Sequence, residues 1–134
     1  MKLFTLYTSL FFLVSSIRGE DSILNSVNFA TEVNTGTWLI KFYSPYCTYS
    51  KKLAPIWEQF SNDNGETLAT KNIHIGELNC IEYGTLCEEN KVDGYPTINL
   101  FHNGKYVEEY TGPRDAQALA DYAASKVTLT NIVN

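Results

Sequence analysis

The chain has 134 residues, of which 44% are hydrophobic and 13% aromatic, and its formal net charge is −5. This length fits one domain with one core, and the scattered basic residues argue against a nucleic-acid partner. His74 and His102 lack a metal-ligand spacing, and the sequence contains no zinc pattern, phosphate loop or Ser-His-Asp arrangement. We therefore predict neither a metal nor a cofactor.

Residues 1–19 are typical of a secretory signal peptide. Lys2 supplies a positive start, Leu3 to Val14 form an apolar run, and Ser15 to Gly19 offer cleavage positions, either near Ser16 or after Gly19. The run is shorter than the roughly 20 residues that span a bilayer, and no later segment is apolar enough; an uncleaved anchor is the alternative. The mature chain would begin near residue 20, in an oxidising compartment where disulfides persist.

Strands and helices are predicted to alternate along a single domain, residues 20–127. The predicted strands are residues 23–24, 38–43, 73–78, 97–101 and 105–110, and the predicted helices are residues 27–33, 47–60, 83–90 and 115–126. Asp115 caps the last helix, and Asn103-Gly104 is a strong hairpin signal between the last two strands. We also predict a turn at Asn62 to Gly65 and a frayed tail that begins near Val127 and covers residues 128–134.

The order of these elements predicts the fold class. Early alternation of strand and helix implies right-handed crossovers and parallel pairing, and the final hairpin adds an antiparallel part. We therefore predict an α/β fold with a mixed central sheet of four to five strands, flanked by helices on both faces. The residues assigned to the core are Ile40, Phe42, Trp57, Phe60 and Phe101.

The cysteines carry the clearest chemical signal. Cys47 begins a helix, where unpaired backbone N–H groups and the positive end of the helix dipole favour a thiolate; an inert buried cysteine is the alternative. An odd number of cysteines leaves one thiol free or paired with another chain. Cys80 and Cys87, seven residues apart, form the predicted internal pair, which would leave Cys47 free.

Ser50 stands where a second cysteine would complete a redox couple with Cys47. The two side chains share one helix face. A serine hydroxyl forms no disulfide, but it can donate a hydrogen bond to the Cys47 thiolate. The alternative is that Ser50 only fills space on a domain without redox activity.

The segment Phe42 to Trp57 resembles the active-site segment of protein disulfide isomerase domains, which have the thioredoxin fold. Gly94-Tyr95-Pro96-Thr97 resembles the family's Gly-Tyr-Pro-Thr segment, whose proline is cis, and Tyr110 to Arg114 resembles its Tyr-x-Gly-x-Arg loop. The resemblance covers about residues 21–126. Ser50 departs from it, because the dithiol members have cysteine there.

The resemblance extends to smaller features. Thr48-Tyr49 is a second departure, since dithiol members commonly have Gly-His. Cys80 and Cys87 fall where some isomerase domains carry an extra structural cysteine pair. The family's cis-proline loop faces the active cysteine and offers backbone groups to an extended substrate. The substrate-binding residues implied are Tyr46, Tyr49, Tyr95 and Pro96, although a trans proline that opens a strand is the alternative for Pro96.

The resemblance also implies a charged pair behind Cys47. In the family, an acidic residue six positions before the active cysteine pairs with a lysine on the next strand. Here Lys41 and Glu77 occupy these places with the signs exchanged, and we infer a reversed ion pair, because either charge alone in the core is costly. Lys41 would favour the Cys47 thiolate. The alternative is that both are exposed and unpaired.

Arg114 matches the family's loop arginine, which tunes the second cysteine. That cysteine is missing here, so a solvated surface arginine fits the sequence equally well.

These features favour a secretory-pathway domain similar to protein disulfide isomerases, with one active-site cysteine that forms mixed disulfides with client proteins. Such a protein would assist isomerisation, folding or retention. As an enzyme it would perform monothiol exchange and would not be a self-sufficient oxidase or reductase. The alternatives are a redox-inactive chaperone or peptide-binding module, and a structural or inhibitory paralogue.

The expected partners are unfolded or cysteine-containing secretory proteins, with glutathione as an outside thiol, and a membrane only if the signal segment stays uncleaved. We expect location in the endoplasmic reticulum lumen or secretion. Residues Thr130 to Asn134 carry no retrieval signal of the Lys-Asp-Glu-Leu type. Retention by a partner, secretion and membership of a longer chain all remain open.

Overall fold

The computed structural model describes residues 21–131. The predicted signal segment, residues 1–19, and the end of the tail, residues 132–134, lie outside this range. Within the described range, no helix has the length and apolar character needed to cross a membrane.

The described chain folds into strands and helices close to those predicted. The elements are β1 Ser22–Leu24, α1 Phe29–Val33, β2 Thr37–Tyr43, α2 Thr48–Thr70, β3 Ile73–Asn79, α3 Gly84–Glu89, β4 Thr97–His102, β5 Lys105–Glu109, α4 Ala116–Ser125 and α5 Val127–Asn131. The Asp115 side chain accepts a hydrogen bond of 2.8 Å from the Ala118 N–H, so the predicted cap of α4 is confirmed.

The five strands form one mixed sheet in the order β1-β3-β2-β4-β5. β3 pairs in parallel with β1 and β2, while β4 pairs antiparallel with β2 and β5. Asn103 and Gly104 have φ angles of 48° and 80° between β4 and β5. Positive φ at both positions is what a tight hairpin turn requires, and it explains the Asn-Gly pair.

Two apolar clusters fill the two faces of the sheet, so the predicted layering is confirmed. Successive residues of a strand point to opposite faces. Trp38 and Phe42 of β2 therefore pack with α1 and α3, while Leu39 packs with α2 and α4. All five residues that the sequence assigned to the core are buried: Ile40, Phe42, Trp57, Phe60 and Phe101.

The predicted turn at Asn62 to Gly65 is wrong, because α2 runs through it to Thr70. Asparagine, aspartate and glycine each cost a helix at most about 1 kcal/mol relative to alanine. Burial of Leu68 beyond the segment contributes about 1.5–3 kcal/mol. The Asn64 side chain also donates to the Phe60 carbonyl at 3.0 Å, inside the helix.

The first part of the predicted frayed tail is also corrected, because Val127–Asn131 form α5. Val127 and Leu129 lie partly buried against the cluster beneath α2 and α4. This apolar contact orders the segment. The folded part of the chain therefore continues past the predicted boundary at residue 127.

Candidate functional site: a free thiol beside a cis-proline loop

The thiol site lies where β2 passes into α2. Cys47 is the N-cap residue of α2, with an extended backbone at φ −81° and ψ 128°. Ser44 shapes the preceding turn: its carbonyl accepts from the Cys47 N–H at 3.2 Å, and its hydroxyl accepts from the Tyr46 N–H at 3.2 Å. The turn leaves the Cys47 side chain partly exposed, with a free thiol.

The start of the helix lowers the pKa of the Cys47 thiol. The largest cause is the hydrogen bond from the Ser50 backbone N–H, and the Tyr49 N–H, the Ser50 hydroxyl and the Arg114 charge act in the same direction. Partial burial of the thiol opposes them. Amides at a helix N-terminus stabilise a thiolate in this way, so the site favours the nucleophilic form of Cys47.

Ser50 lies buried one turn into α2 and bonds on two sides. Its Oγ accepts a hydrogen bond of 3.2 Å from the Ser44 N–H. Its hydroxyl also helps to lower the pKa of the Cys47 thiol. The residue at the second-cysteine position is therefore part of the network around Cys47.

A cis-proline loop faces the thiol. The Tyr95–Pro96 bond is cis, which confirms the sequence prediction. The Cys47 Sγ lies 3.4 Å from the Tyr95 carbonyl oxygen, to which the thiol donates. Arg114, itself exposed, donates from Nη2 to the Pro96 carbonyl at 3.2 Å, so it contacts the loop and is not merely a solvated surface arginine.

Three exposed tyrosines belong to the segments around Cys47. Tyr46 is 77% exposed and Tyr49 64%, at the start of α2, and Tyr95 is 36% exposed in the cis-proline loop. Pro96 itself is buried. Large aromatic side chains at this exposure leave an apolar surface beside the free thiol.

Lys41 and Glu77 form the ion pair expected from the exchanged signs. The two residues are paired across β2 and β3, and Lys41 Nζ lies 2.9 Å from Glu77 Oε2. The Lys41 side chain is 6% exposed and that of Glu77 21%. The alternative of two exposed, unpaired charges is therefore wrong. Among the described residues, Lys41 is not one of the groups that lower the Cys47 pKa.

Asp21 joins this pair, and sequence reasoning missed it. The Trp57 Nε1–H donates to Asp21 Oδ2 at 3.0 Å. Burial, and then the negative charge and hydrogen bond of Glu77, raise the Asp21 pKa to about 6. Asp21, Lys41, Glu77 and Ser50 line one cavity of about 850 Å³ behind the thiol site. The pairing of β1 with β3, which carries Asp21 to this cavity, has no local sequence signal.

The predicted disulfide is present. Cys80 and Cys87 are bonded, with their Cα atoms 5.8 Å apart, and both are buried. The bond joins the end of β3 to α3. Cys47 is thus the free cysteine, as predicted.

Both histidines have structural partners. His74 packs on Trp38 with ring centroids 4.9 Å apart, and His102 Nδ1 lies 2.9 Å from the Thr37 hydroxyl. Within residues 21–131, no group of three metal-binding side chains lies together.

A mixed five-stranded sheet that sets a cysteine at a helix N-terminus against a cis-proline loop is the arrangement of a thioredoxin-like domain. The Thioredoxin family model matches residues 21–125, and the chain belongs to that family.

Its relatives include protein disulfide isomerases, which confirms the resemblance seen in the sequence. A putative protein disulfide-isomerase of Schizosaccharomyces pombe is 39% identical over 92 residues, which cover 69% of this chain and 18% of that protein. The ER-retained PMA1-suppressing protein 1 of Saccharomyces cerevisiae is 37% identical over 101 residues, 75% of this chain and 14% of that protein. The chain thus spans only a small part of these relatives.

Solved structures agree on the fold. The first two thioredoxin domains of Naumovozyma dairenensis Eps1p match with a TM-score of 0.78 and 31% identity, over 84% of this chain and 43% of that one. The zinc-bound form of human ERp44 matches with a TM-score of 0.75 and 30% identity, over 81% of this chain and 31% of that one.

Proposed function

We propose that this chain is a secretory-pathway thioredoxin-like domain that captures client proteins through one reactive cysteine, Cys47. One observation carries the proposal: the partly exposed Cys47 sulfur, whose pKa is lowered by the first turn of α2, has serine at the resolving position. A lowered thiol pKa at an accessible position is the mark of a reactive cysteine. Ser50 supplies hydrogen bonding without supplying a second sulfur.

The reaction is thiol–disulfide exchange. The Cys47 thiolate attacks one sulfur of an exposed client disulfide; a Cys47–client disulfide forms, the client disulfide breaks, and the second client sulfur leaves as a thiolate. A client thiolate then attacks the mixed disulfide and frees Cys47, with no net oxidation or reduction. If glutathione attacks the mixed disulfide instead, a second glutathione must attack the glutathione mixed disulfide that results. The client is then reduced, and glutathione disulfide forms.

The cis-proline loop would hold the client next to Cys47. Once Cys47 is deprotonated, its sulfur no longer donates to the Tyr95 carbonyl, 3.4 Å away. That carbonyl is then free to accept from a backbone N–H of an extended client. The flanking Tyr46 and Tyr49 add apolar area, and Arg114 positions the loop through the Pro96 carbonyl.

The cellular setting is part of the same proposal. We place the protein in the endoplasmic reticulum lumen or the secreted fraction, with residues 1–19 removed as a signal peptide. The Cys80–Cys87 bond supports an oxidising compartment, and one relative is named as ER-retained. N-terminal sequencing of the protein from its native cells tests the cleavage, because an intact Met1 contradicts it.

A redox-inactive chaperone or peptide-binding module is the second candidate, and the exposure of Tyr46, Tyr49 and Tyr95 favours it. In that case the tyrosines bind clients and Cys47 does no chemistry.

Acid-quenched trapping separates the two candidates. The wild-type protein and the Cys47→Ala variant are incubated with a disulfide-containing unfolded client and run on non-reducing gels. Single-thiol capture predicts a mixed disulfide only with the wild type, and a marked fall in client recovery with Cys47→Ala. If both proteins recover clients equally and no mixed disulfide forms, the binding module is correct.

A further inference from the structure

A second cavity, of about 570 Å³, lies beside the cis-proline loop. We name it the hairpin groove; it is lined by residues 89–91, 93–97, 99, 101, 104, 106 and 109. Its volume is in the range of pockets that hold small ligands or side chains. Tyr95 and Pro96 line the groove, and the Tyr95 carbonyl also faces the Cys47 sulfur, so the groove and the thiol site share the cis-proline loop.

Asn99 is the unusual residue of this groove. It lies in the middle of β4, is 3% exposed and lines the cavity. Among the described residues, nothing donates a hydrogen bond to its Oδ1. Buried polar atoms nearly always have a partner, and the terminal amide torsion of asparagine is broad and roughly two-fold. Because Asn99 lines the groove, a rotation about that torsion would offer its unpartnered oxygen to a donor bound there.

The rest of the lining is aromatic and acidic. Phe101 and Tyr106 lie edge to face with ring centroids 6.1 Å apart, and Tyr106 is largely exposed. The charged lining residues are three carboxylates and one ammonium: Glu89, Asp93, Glu109 and Lys91. The groove therefore combines an acceptor, an aromatic wall and an excess of negative charge.

We propose that the hairpin groove binds the arginine side chain of an extended client segment, close in sequence to the cysteine that Cys47 engages. A guanidinium carries five N–H donors, stacks on aromatic faces and pairs with carboxylates. It therefore matches Asn99, Tyr106 and Glu109 together, whereas an ammonium is a point charge that stacks less well. The inference rests on the proposed function for the position of the client, but binding of the arginine needs no thiol.

The test uses the Cys47→Ala variant of the full chain, so that only non-covalent binding is measured. Fluorescent extended peptides carry one arginine at successive positions around a central alanine, and each is matched with a citrulline peptide, which keeps the shape and removes the charge. We expect at least one position where citrulline weakens binding about tenfold, the sum of a cation–π contact and a charge-assisted hydrogen bond. Equal binding of each arginine and citrulline pair overturns the proposal.

Groove variants in the same background locate the site. Tyr106→Ala, Glu109→Gln and Asn99→Leu should each weaken binding of the arginine peptide more than binding of the citrulline peptide, with folding verified by circular dichroism. Asp63→Asn, an exposed residue of α2 outside the groove, is the matched charge control. A loss with Asp63→Asn equal to that with Glu109→Gln would show general charge attraction and overturn the site.

The two proposals fail in different ways. Cysteine versions of the peptides, presented as disulfides, are trapped by the protein with Cys47 intact. If arginine and citrulline peptides are trapped at equal rates, the groove proposal fails while capture by Cys47 stands. If no mixed disulfide forms but the Cys47→Ala variant still prefers arginine through Tyr106 and Glu109, the groove stands and capture fails.

Discussion

The pKa of the Cys47 thiol is lowered mainly by atoms of the first turn of α2. The Ser50 backbone N–H contributes most to its lowered pKa, and the Ser50 hydroxyl contributes less. The same hydroxyl oxygen accepts from the Ser44 N–H at 3.2 Å and so joins the strand end to the helix start. Ser50 therefore has an electrostatic role and a structural role, which different measurements separate.

Replacement of Ser50 by alanine should raise the Cys47 pKa, because one of the hydrogen bonds to the thiolate is lost while the backbone N–H remains. The midpoint of iodoacetamide alkylation against pH should move upward. The Ser44 N–H also loses its acceptor, which costs about 1–3 kcal/mol of unfolding free energy. Ser26→Ala, at an exposed serine, is the control. An alkylation midpoint that is unchanged or lower would exclude the hydroxyl as a support of the thiolate.

Asp21 makes stability depend on pH. Its folded-state pKa is raised from 3.8 to about 6, so the folded protein binds a proton more tightly than the unfolded chain does. The stability linked to this proton is complete below pH 3.8 and is lost as pH rises through about 6. Because Asp21 is only partly buried, we expect a loss on the order of 1 kcal/mol.

Urea unfolding of the wild type and Asp21→Asn at pH 4, 5, 6 and 7 measures this loss. In the variant, the free energy of unfolding should lack the part of its decline between about pH 4 and pH 6 that Asp21 causes in the wild type. Asp63→Asn, at an exposed aspartate, should keep the wild-type slope. Identical slopes for the wild type and Asp21→Asn would contradict the shift. The Asp21 contribution was not predictable from sequence, because it arises from burial and from a carboxylate neighbour, Glu77, on a distant strand.

At the scale of elements, β2 and β3 carry the charged pair and α2 carries the thiol. Lys41 and Glu77 are register partners on these strands, and both line the cavity that Ser50 also lines. Lys41 therefore satisfies Glu77 at 2.9 Å and lies over the rings of Tyr43 and Trp57 at 4.9 and 5.6 Å. These contacts account for the burial of the Lys41 ammonium.

We accordingly expect Lys41→Met to act on stability and not on Cys47. Removal of one partner leaves the Glu77 and Asp21 carboxylates together without a cation, and broken buried pairs cost about 3–5 kcal/mol; the partial exposure of Glu77 reduces this to about 1–3 kcal/mol. Urea unfolding measures the loss. The Cys47 alkylation midpoint should stay where it is, and a large upward shift would restore Lys41 as a direct support of the thiolate.

The Cys80–Cys87 bond should stabilise the β3–α3 connection and should not affect the reactivity of Cys47. A loop of this length gives about 2.5 kcal/mol of chain entropy, so the double variant Cys80→Ala, Cys87→Ala should lose roughly that much unfolding free energy. The rate of Cys47 capture should not change in the folded double variant. A slower capture would connect the disulfide to the site, against this account.

The lengths of the helices were the feature of the fold that the sequence predicted least well. Leu53, Trp57 and Phe60 have a helical spacing that predicts the first half of α2. Beyond them, Asn62 to Gly65 has local turn chemistry, and the burial of Leu68 in the apolar cluster stabilises the continuation of the helix to Thr70. α5 was missed for the same reason, because Val127 and Leu129 gain from contacts that no local pattern reveals.

For the whole molecule, the sequence motifs predicted which residues meet at the site more accurately than the sequence predicted the lengths of the helices. Cys47, Pro96 and Arg114 are far apart in sequence, and the fold brings them together around one sulfur. Their order along the chain identified the family resemblance, whereas the parallel and antiparallel pairings were predicted from the order of the strands and helices. Asn99 and the hairpin groove had no such signal, because an unpartnered amide is a property of the assembled structure.

The lifetime of the mixed disulfide tests the central claim, capture by Cys47 without self-release. The wild type and Ser50→Cys are each loaded with a client that carries one cysteine, and release is followed at increasing glutathione concentrations. Wild-type release should rise linearly with glutathione from an intercept near zero, since no second sulfur is present in the site. Ser50→Cys should release the client without glutathione and form a Cys47–residue 50 disulfide. Equal release of both proteins without glutathione would contradict the account.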